Sequence, residues 1–429
     1  MASKPELQQV YSKGIYHGLP VYPSEVKGLT AIVTGANGIS GQHMVRALGE
    51  APERWAKIYC LSRRPPAVAD ALPPNAVHIP LDFMTSPEEI GRVLKENGVT
   101  ANYVFFYSYI QVPSSDGKRL WDNADEMVRV NTLLLTNFLE ALPLASIMPK
   151  NIMLQTGAKN YGVHLGPAVS PQDEDDPRIL LEPNFYASQE DSLWAFCGKH
   201  GINWSVARPS WVVGAVPDAA MNIAYPLAVY ATVQKHLGRK LEFPSDIISW
   251  ENAQVNSTAL MNGYFEEWAA LSPQAQNEAF NTTDDCMWSW ARFWPEFAKW
   301  FGLEYTRPDP EKDQYQEMWN KYDPPPRGFG GPGNMKARFT LTSWAKQPEV
   351  QAAWREIATK HGLIEKELRD PDRVFGFADA ALLLSHPIQM RMGKARKLGW
   401  HGFVDSSESY RETFEGFVKL NMLPQLPWQ

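Results

Sequence analysis

The chain has 429 residues, a formal net charge of −7 and 44% hydrophobic residues, a composition typical of a globular protein with a sizeable core. The acidic balance argues against a nucleic acid or an anionic membrane as partner. The three cysteines lie far apart, form no metal-binding pattern and are typical of a reducing compartment. We identify neither a signal peptide nor an apolar run of about 18 residues, so we expect a cytoplasmic protein outside the membrane.

The first clear element is an apolar strand at 29–33, followed by a glycine-rich turn at 34–41 and an amphipathic helix. Glycine allows a tight turn and lets a pyrophosphate approach the amides at a helix N-terminus. The order of strand, glycines and helix therefore predicts a dinucleotide-binding site. Its expected contacts are Thr34, Gly35, Asn37, Gly38, Ile39 and Gly41.

The second strand ends in basic residues. An acidic residue at this position binds the ribose 2′-hydroxyl of NAD, whereas Ser62, Arg63 and Arg64 stand here. An arginine can form a bidentate, charge-assisted contact with a 2′-phosphate. We therefore predict NADPH/NADP+ as the cofactor. The alternative is a glycine turn without a ligand and arginines on a solvated edge, which the order of the surrounding elements disfavours.

Strands and helices alternate from 29 to about 215, which predicts an α/β fold with a doubly wound parallel sheet of the Rossmann type. Residues 1–28 are expected to form an irregular N-terminal arm, and 29–215 the NADP-binding domain. Residues 216–429 are expected to form a smaller, mainly helical substrate-binding region. It contains an apparent insertion at about 303–397, whose Pro/Gly-rich loop either covers the site or is a surface excursion.

Ligands of an open parallel sheet bind beyond the carboxyl ends of its strands. Asp82 and Phe83 end the third strand and are candidates for holding the adenine, although each taken alone could equally be a solvated strand end. Further candidate cofactor contacts after later strands are Ser108, Thr156, Pro209 and Val212.

Hydride transfer to a carbonyl or enone needs a hydrogen bond for the oxygen that becomes negative. Short-chain dehydrogenases, which use the G-x-x-G-x-x-G spacing found in the turn, usually supply a tyrosine with a lysine four residues later. That motif is missing here, because Tyr186 is followed at this spacing by Glu190. A lysine stands elsewhere, at Lys159, directly after the strand at 151–156.

The segments L-Q-T-G-A-K-N-Y at 154–161 and N-F-Y at 184–186 resemble the progesterone 5β-reductase and iridoid synthase (PRISE-like) family of atypical short-chain dehydrogenases. Further matches are S-R-R-P at 62–65, A-R-P at 207–209, M-N at 221–222 and N-E-A-F-N at 277–281. The likeness covers about 29–302 and resumes near 398–419. It departs from the family at Ala187, where the family has a second tyrosine, and at residues near the substrate mouth.

The resemblance implies catalytic roles for Lys159 and Tyr186, which would also contact the cofactor. Lys159 would bind the nicotinamide ribose and, as a cation, lower the pKa of the tyrosine. Tyr186 would hydrogen-bond the substrate oxygen, so that an enolate forms when hydride reaches the β-carbon. The resemblance also favours a homodimer. The expected substrate contacts are Tyr109, Tyr161 and Met221, and we predict no metal site.

The first hypothesis for function is an NADPH-dependent reductase that reduces the activated C=C bond of a small hydrophobic enone or enal, of terpenoid or polyketide type, in secondary metabolism. The second is reduction of a plain carbonyl, or isomerisation or epimerisation, on the same scaffold. The third is a regulatory protein that senses NADP without catalysis. The presence of both Lys159 and Tyr186 counts against the sensor, which has no need of them.

Overall fold

The computed structural model describes residues 9–67, 72–112 and 123–428. The strands are β1 Val10–Lys13, β2 Tyr16–Pro20, β3 Leu29–Thr34, β4 Trp55–Ser62, β5 Ala76–Pro80, β6 Tyr103–Phe106, β7 Asn151–Gln155, β8 Asn203–Pro209, β9 Trp211–Val213, β10 Leu241–Glu242, β11 Asn256–Thr258, β12 Glu278–Thr282, β13 Tyr305–Thr306, β14 Gln316–Trp319 and β15 Asn334–Ala337. The α-helices are α1 Ile39–Gly49, α2 Pro87–Glu96, α3 Ala124–Leu144, α4 Phe185–His200, α5 Ala224–His236, α6 Ile247–Glu251, α7 Ala259–Leu271, α8 Trp290–Phe301, α9 Leu341–Ala345, α10 Pro348–His361, α11 Pro371–Leu382, α12 Gly393–Lys397 and α13 Ser406–Lys419. Short 3₁₀ helices occur at Ala158–Tyr161 and Pro273–Ala275.

The central sheet of the described residues has seven parallel strands in the order β12-β8-β7-β6-β3-β4-β5. The chain runs outward from β3 to β5 and then returns to place β6 on the other side of β3. The strand order therefore reverses between β3 and β6, and the loops after these two strands flank the crevice where such sheets bind ligands. The predicted Rossmann-type fold is confirmed.

Helices cover both faces of the sheet, as the side chains of β3 show. Ala31 and Val33 pack in a core with α1 and α7, whereas Ile32 packs in a second core that includes Phe138 of α3. Neighbouring residues of a strand point to opposite faces, so a continuous apolar run supplies both cores. This burial fixes the carboxyl ends of the strands, on which the site is built.

Two parts of the chain differ from the expected organisation. The N-terminal arm is not wholly irregular, because β1 and β2 pair as an antiparallel hairpin; its first eight residues lie outside the described ranges. The strand β12 comes from the region expected to be helical and extends the Rossmann sheet beside β8. Helix α7 from the same region packs against α1.

The rest of the C-terminal region is mainly helical, as expected, and has its own aromatic core. Trp290, Trp294 and Phe297 of α8 are fully buried there with Trp354 of α10. Within the apparent insertion, helices α9 to α11 join this core, whereas β14 and β15 form an antiparallel hairpin. Among the helices of the described ranges, none has both the length and the apolarity that a membrane span requires.

Candidate active site

The glycine turn after β3 has no room for side chains at two positions. Gly35 has φ +59, and a Cβ atom there would lie 2.9 Å from the carbonyl carbon of Tyr107. A Cβ atom on Gly41 would overlap the carbonyl oxygen of Gly35. The helix α1 begins after Gly38 without a side-chain cap and without an acidic residue in its first turn. Its first amides therefore fit a pyrophosphate, as the sequence predicts.

Two polar residues of this motif serve to shape the crevice. The hydroxyl of Thr34 is buried and accepts hydrogen bonds from the backbone amides of Tyr107 (3.0 Å) and Ser108 (3.2 Å), which joins the ends of β3 and β6. The amide of Asn37 donates to the backbone carbonyl of Arg64 at 2.6 Å. These contacts hold the loops around the crevice and place Ser108 at its edge.

The loop after β4 presents its two arginines to solvent. The hydroxyl of Ser62 donates to the carbonyl of Arg64 at 2.9 Å, so Ser62 and Asn37 hold the same backbone group. The side chains of Arg63 and Arg64 are exposed, and within the described part of the chain neither forms an ion pair with a carboxylate. Their guanidinium groups are therefore available to an anion beside the glycine turn.

The end of the third sheet strand departs from the prediction. The ring of Phe83 is 4% exposed and packs against Phe138, with ring centroids 5.2 Å apart. Burial of this ring is more favourable than exposure at a strand end, so only the backbone of Phe83 remains available to an adenine. The carboxylate of Asp82 accepts a hydrogen bond from the backbone amide of Met84 at 3.0 Å.

The structure brings Lys159 and Tyr186 together although they lie on separate elements. Lys159 is in the short helix after β7, and Tyr186 is in the first turn of α4. Asn184 connects them: its amide donates to the carbonyl of Lys159 (3.1 Å), and its side-chain oxygen accepts from the backbone amide of Tyr186 (3.0 Å). The ring of Phe185 lies beside both, with its centroid 5.3 Å from the ammonium and 4.5 Å from the tyrosine ring centroid.

The helix position that usually carries the lysine of short-chain dehydrogenases is used for packing here. Glu190 is buried and forms an ion pair with Arg208 at 2.9 Å. Arg208 also lies 3.5 Å from the hydroxyl of Tyr161. That hydroxyl donates to Asn281 at 2.5 Å, and Tyr161 is 3% exposed. Tyr161 therefore belongs to a buried polar cluster, which corrects its predicted role as a substrate contact.

The hydroxyl of Tyr186 lies above Gly157. A Cβ atom at Gly157 would be 3.2 Å from this hydroxyl and 3.4 Å from the carbonyl oxygen of Pro209. Burial raises the pKa of Tyr186 above its ordinary value, and a lowering of this pKa by Lys159 stays a prediction. A phenol that stays protonated is suited to donating a hydrogen bond.

The ammonium of Lys159 is sensitive to its surroundings. Burial lowers the pKa of Lys159 to about 7, because desolvation disfavours the charged form, and the nearby Glu182 opposes this change. The group therefore titrates near neutral pH before any ligand is bound. A bound phosphate or ribose would change that balance.

The other predicted contacts differ in their burial and in the elements to which they belong. The ring of Tyr109 lies 5.7 Å from that of Phe185, so it is beside the site. Thr156 is buried, and its backbone amide donates a hydrogen bond to the carbonyl of Ala207. Val212 is partly buried in β9, paired with β11. Met221 is partly buried against the C-terminal aromatic core.

Asn184 and Phe185 also belong to the site, although in the sequence they stand out only as part of the N-F-Y segment. Asparagine is among the preferred residues for capping a helix N-terminus, so the cap itself was recognisable. Its second contact, with the carbonyl of Lys159, depends on the tertiary fold.

A buried carboxyl also lies behind the glycine turn. Glu266 of α7 accepts a hydrogen bond from the hydroxyl of Tyr107, the residue whose backbone crowds Gly35. Burial raises the pKa of Glu266 to about 8. The folded protein therefore keeps a proton that the unfolded chain loses near the ordinary value of 4.5.

We expect Glu266→Gln to stabilise the protein more at pH 7.5 than at pH 5. The contribution of Glu266 to stability is largest below about pH 4.5 and falls, by roughly 1.4 kcal/mol per pH unit at most, until about pH 8. Glutamine can still accept the hydrogen bond of Tyr107 but does not ionise. The melting temperature of the variant minus that of the wild type should rise with pH. Glu88→Gln on the surface is the control, and a pH-independent difference would contradict the prediction.

The parallel sheet, the glycine turn and the Lys159–Tyr186 pair define the chain as an oxidoreductase of the short-chain dehydrogenase type with a Rossmann fold. Residues 31–320 match the PRISE-like Rossmann-fold domain, and the chain belongs to this family. The family resemblance found in the sequence is thereby confirmed.

Relatives along nearly the whole chain agree with this. The chain is 30% identical to the (S)-8-oxocitronellyl enol synthase of Catharanthus roseus, with 92% of each protein covered. It is 29% identical to the 3-oxo-Delta(4,5)-steroid 5-beta-reductase of Arabidopsis thaliana, covering 94% of this chain and 95% of the relative. It is 28% identical to the short chain dehydrogenase gsfE of Penicillium aethiopicum, covering 92% and 99%.

The fold also resembles solved structures of low sequence identity. The UDP-glucose 4-epimerase of Thermotoga maritima is 15% identical, and its superposition covers 91% of this chain and 99% of that structure with a TM-score of 0.57. At this identity the likeness concerns the fold alone.

Proposed function

We propose that the protein is an NADPH-dependent reductase of the activated C=C bond in a small, hydrophobic enone or enal. The observation that carries this proposal is the pairing of Lys159 with Tyr186 through Asn184, at the edge of the sheet that holds the glycine turn. The names of the two plant relatives describe a 3-oxo-Delta(4,5)-steroid as substrate and an enol as product. Both fit an enolate formed from a conjugated carbonyl compound, such as a terpenoid or polyketide of secondary metabolism.

The residues of the site divide the chemistry between them. A bound nicotinamide supplies the hydride. Tyr186 donates a hydrogen bond to the substrate carbonyl oxygen, where negative charge develops as the β-carbon receives the hydride. Because burial favours the protonated phenol, the hydroxyl of Tyr186 carries the proton that it needs to donate this hydrogen bond. Lys159 holds the ribose side of the cofactor and adds positive charge close to the developing anion.

Selectivity for NADPH over NADH is proposed from the loop after β4, where Arg63 and Arg64 are exposed beside the glycine turn. A guanidinium group can form a charge-assisted contact with the 2′-phosphate, which NADH lacks. Asn37 and Ser62 both donate hydrogen bonds to the carbonyl of Arg64, and these bonds hold the backbone that carries the two arginines.

We expect Arg63→Ala to weaken NADPH binding by roughly one to two decades and to leave NADH binding nearly unchanged. The lost contact is a hydrogen bond between charged groups, worth about 1.5–3 kcal/mol. Dissociation constants of both cofactors for wild type and variant measure this, and the NADH value is the internal control. Equal affinities of the wild type for NADPH and NADH would contradict the assignment.

The proposed reaction is tested with NADPH that carries deuterium at the transferred position, and a panel of enals, enones and plain ketones. Deuterium at the β-carbon of the product identifies C=C reduction, and deuterium at the carbonyl carbon identifies carbonyl reduction. Conversion without consumption of NADPH would indicate an isomerase or epimerase. Tight NADPH binding with no conversion of any compound would favour the regulatory alternative.

A further inference from the structure

We propose that the loop between β14 and β15 acts on Lys159 through Glu182, so that Glu182 is a positioning residue for the catalytic lysine. The inference rests on the proposed function only in taking Lys159 as the catalytic lysine. We call Glu182, Lys321 and Tyr322 the clasp. None of the three belongs to the glycine turn or to the Lys159–Tyr186 pair.

The clasp joins the hairpin to the segment that leads into α4. Glu182 accepts hydrogen bonds from the ammonium of Lys321 and from the hydroxyl of Tyr322, the latter at 2.6 Å. The hydroxyl of Tyr322 also lies 3.3 Å from the carbonyl oxygen of Leu181. Glu182 precedes Asn184 by two positions, and Asn184 binds the carbonyl of Lys159. The clasp is therefore attached to the same short segment that positions the catalytic pair.

The loop between β14 and β15 packs on residues 166–167, which lie between Lys159 and Tyr186 in the sequence. A Cβ atom at Gly166 would lie 3.4 Å from the side chains of Asn320 and Pro326. At Gly333 it would lie 2.8 Å from the ring of Pro167. The hairpin thus packs closely on 166–167, which lie between Lys159 and α4 in sequence. The loop of the insertion therefore lies against the segment that connects Lys159 with α4.

The charge of Glu182 explains why these contacts matter for chemistry. Partial burial opposes its ionisation, but the hydrogen bonds from Lys321 and Tyr322 hold the pKa of Glu182 below its ordinary value, so it is a carboxylate at neutral pH. This carboxylate favours the ammonium form of Lys159, against the burial that disfavours it. The ion pair with Lys321 adds little stability, because that lysine is largely exposed.

Lys159 has other titratable neighbours, which the experiment must hold constant. His164 follows the short helix and lies close enough for the charge of Lys159 to lower the pKa of its imidazole further, beyond the effect of burial. Tyr186 contributes a phenol from α4, and Tyr109 lies across the ring of Phe185. Lys321 and Tyr322 donate hydrogen bonds to Glu182. Substitutions confined to the clasp leave His164, Tyr186 and Tyr109 in place.

The test measures the titration of Lys159 directly in the full chain without cofactor or substrate. Competitive acylation of lysines over pH 5 to 10, followed by peptide mass spectrometry, gives the midpoint for Lys159. We expect Glu182→Gln to lower this midpoint by about half a pH unit or more, because the favourable charge is lost. We expect Lys321→Met to raise it, because Glu182 is then less neutralised.

Two controls separate charge from structure. Tyr322→Phe loosens the clasp without changing its formal charge and should move the midpoint little. Lys336→Met removes the same charge from the same hairpin, where Lys336 pairs with Glu317 instead, and should also leave the midpoint in place. An unchanged midpoint in Glu182→Gln, or shifts of the same sign in Glu182→Gln and Lys321→Met, would overturn the proposal. Because no cofactor or substrate is used, this result is independent of whether the proposed reaction is correct.

Discussion

Tyr186→Phe should lower kcat by about 100-fold or more and leave the affinity for NADPH nearly unchanged. The substitution removes one hydroxyl and keeps the ring that packs on Phe185 with its centroid at 4.5 Å. The hydroxyl lies above Gly157, beyond the end of β7. The lost hydrogen bond is one that strengthens as negative charge develops, so the effect falls on turnover. It should be smaller for an enone, which stabilises its own enolate, than for a ketone.

Tyr109→Phe is the matched control for this experiment. Its ring also contacts Phe185, but its hydroxyl is hydrogen-bonded to Gln111. We expect a much smaller loss of kcat in this variant than in Tyr186→Phe. Normal turnover by Tyr186→Phe, or a loss of NADPH binding in place of turnover, would show that Tyr186 is not the donor to the substrate.

Lys159→Met should weaken NADPH binding and lower kcat together, in contrast to Tyr186→Phe. Methionine has a similar length but no charge, so the loss reports on the ammonium. A hydrogen bond from a charged group contributes about 1.5–3 kcal/mol, which corresponds to roughly one to two decades in affinity. Lys150→Met, an exposed lysine just before β7, is the control for a change of charge.

The same variant tests the pH dependence of binding. With a pKa of about 7, Lys159 loses its charge as the pH rises through neutrality. The advantage of the wild type over Lys159→Met in NADPH affinity should therefore be full below pH 6 and smaller at pH 8. The titration of the cofactor's own phosphate affects both proteins alike, so it cancels when their NADPH affinities are compared. If the wild type exceeded Lys159→Met in NADPH affinity by the same factor at every pH, the ammonium form of Lys159 would not be what binds the ribose.

Several features of the protein follow from the sequence alone. The apolar runs, the glycine spacing and the alternation of strands and helices identify the Rossmann-type sheet, because these patterns reflect local backbone geometry and burial. Lys159 and Tyr186 are recognisable because each stands in a short segment that resembles the family, and the match of 31–320 shows that the chain belongs to this family. The mainly helical character of the C-terminal region is likewise predicted from the sequence.

Other features were decided by the tertiary structure. The strand β12 joins the sheet because it can pair with β8, a contact between distant parts of the chain that no local pattern contains. Phe83 and Tyr161 follow strands as ligand-binding residues do, yet both side chains are buried, because the direction of a side chain after a strand depends on the layer that packs there. Asn184 caps its helix by a local rule, but its bond to the carbonyl of Lys159 required the fold to bring that segment beside it. The Lys159–Tyr186 pair is thus encoded in two local segments, whereas its geometry, and the carboxylate of Glu182 near it, depend on long-range packing.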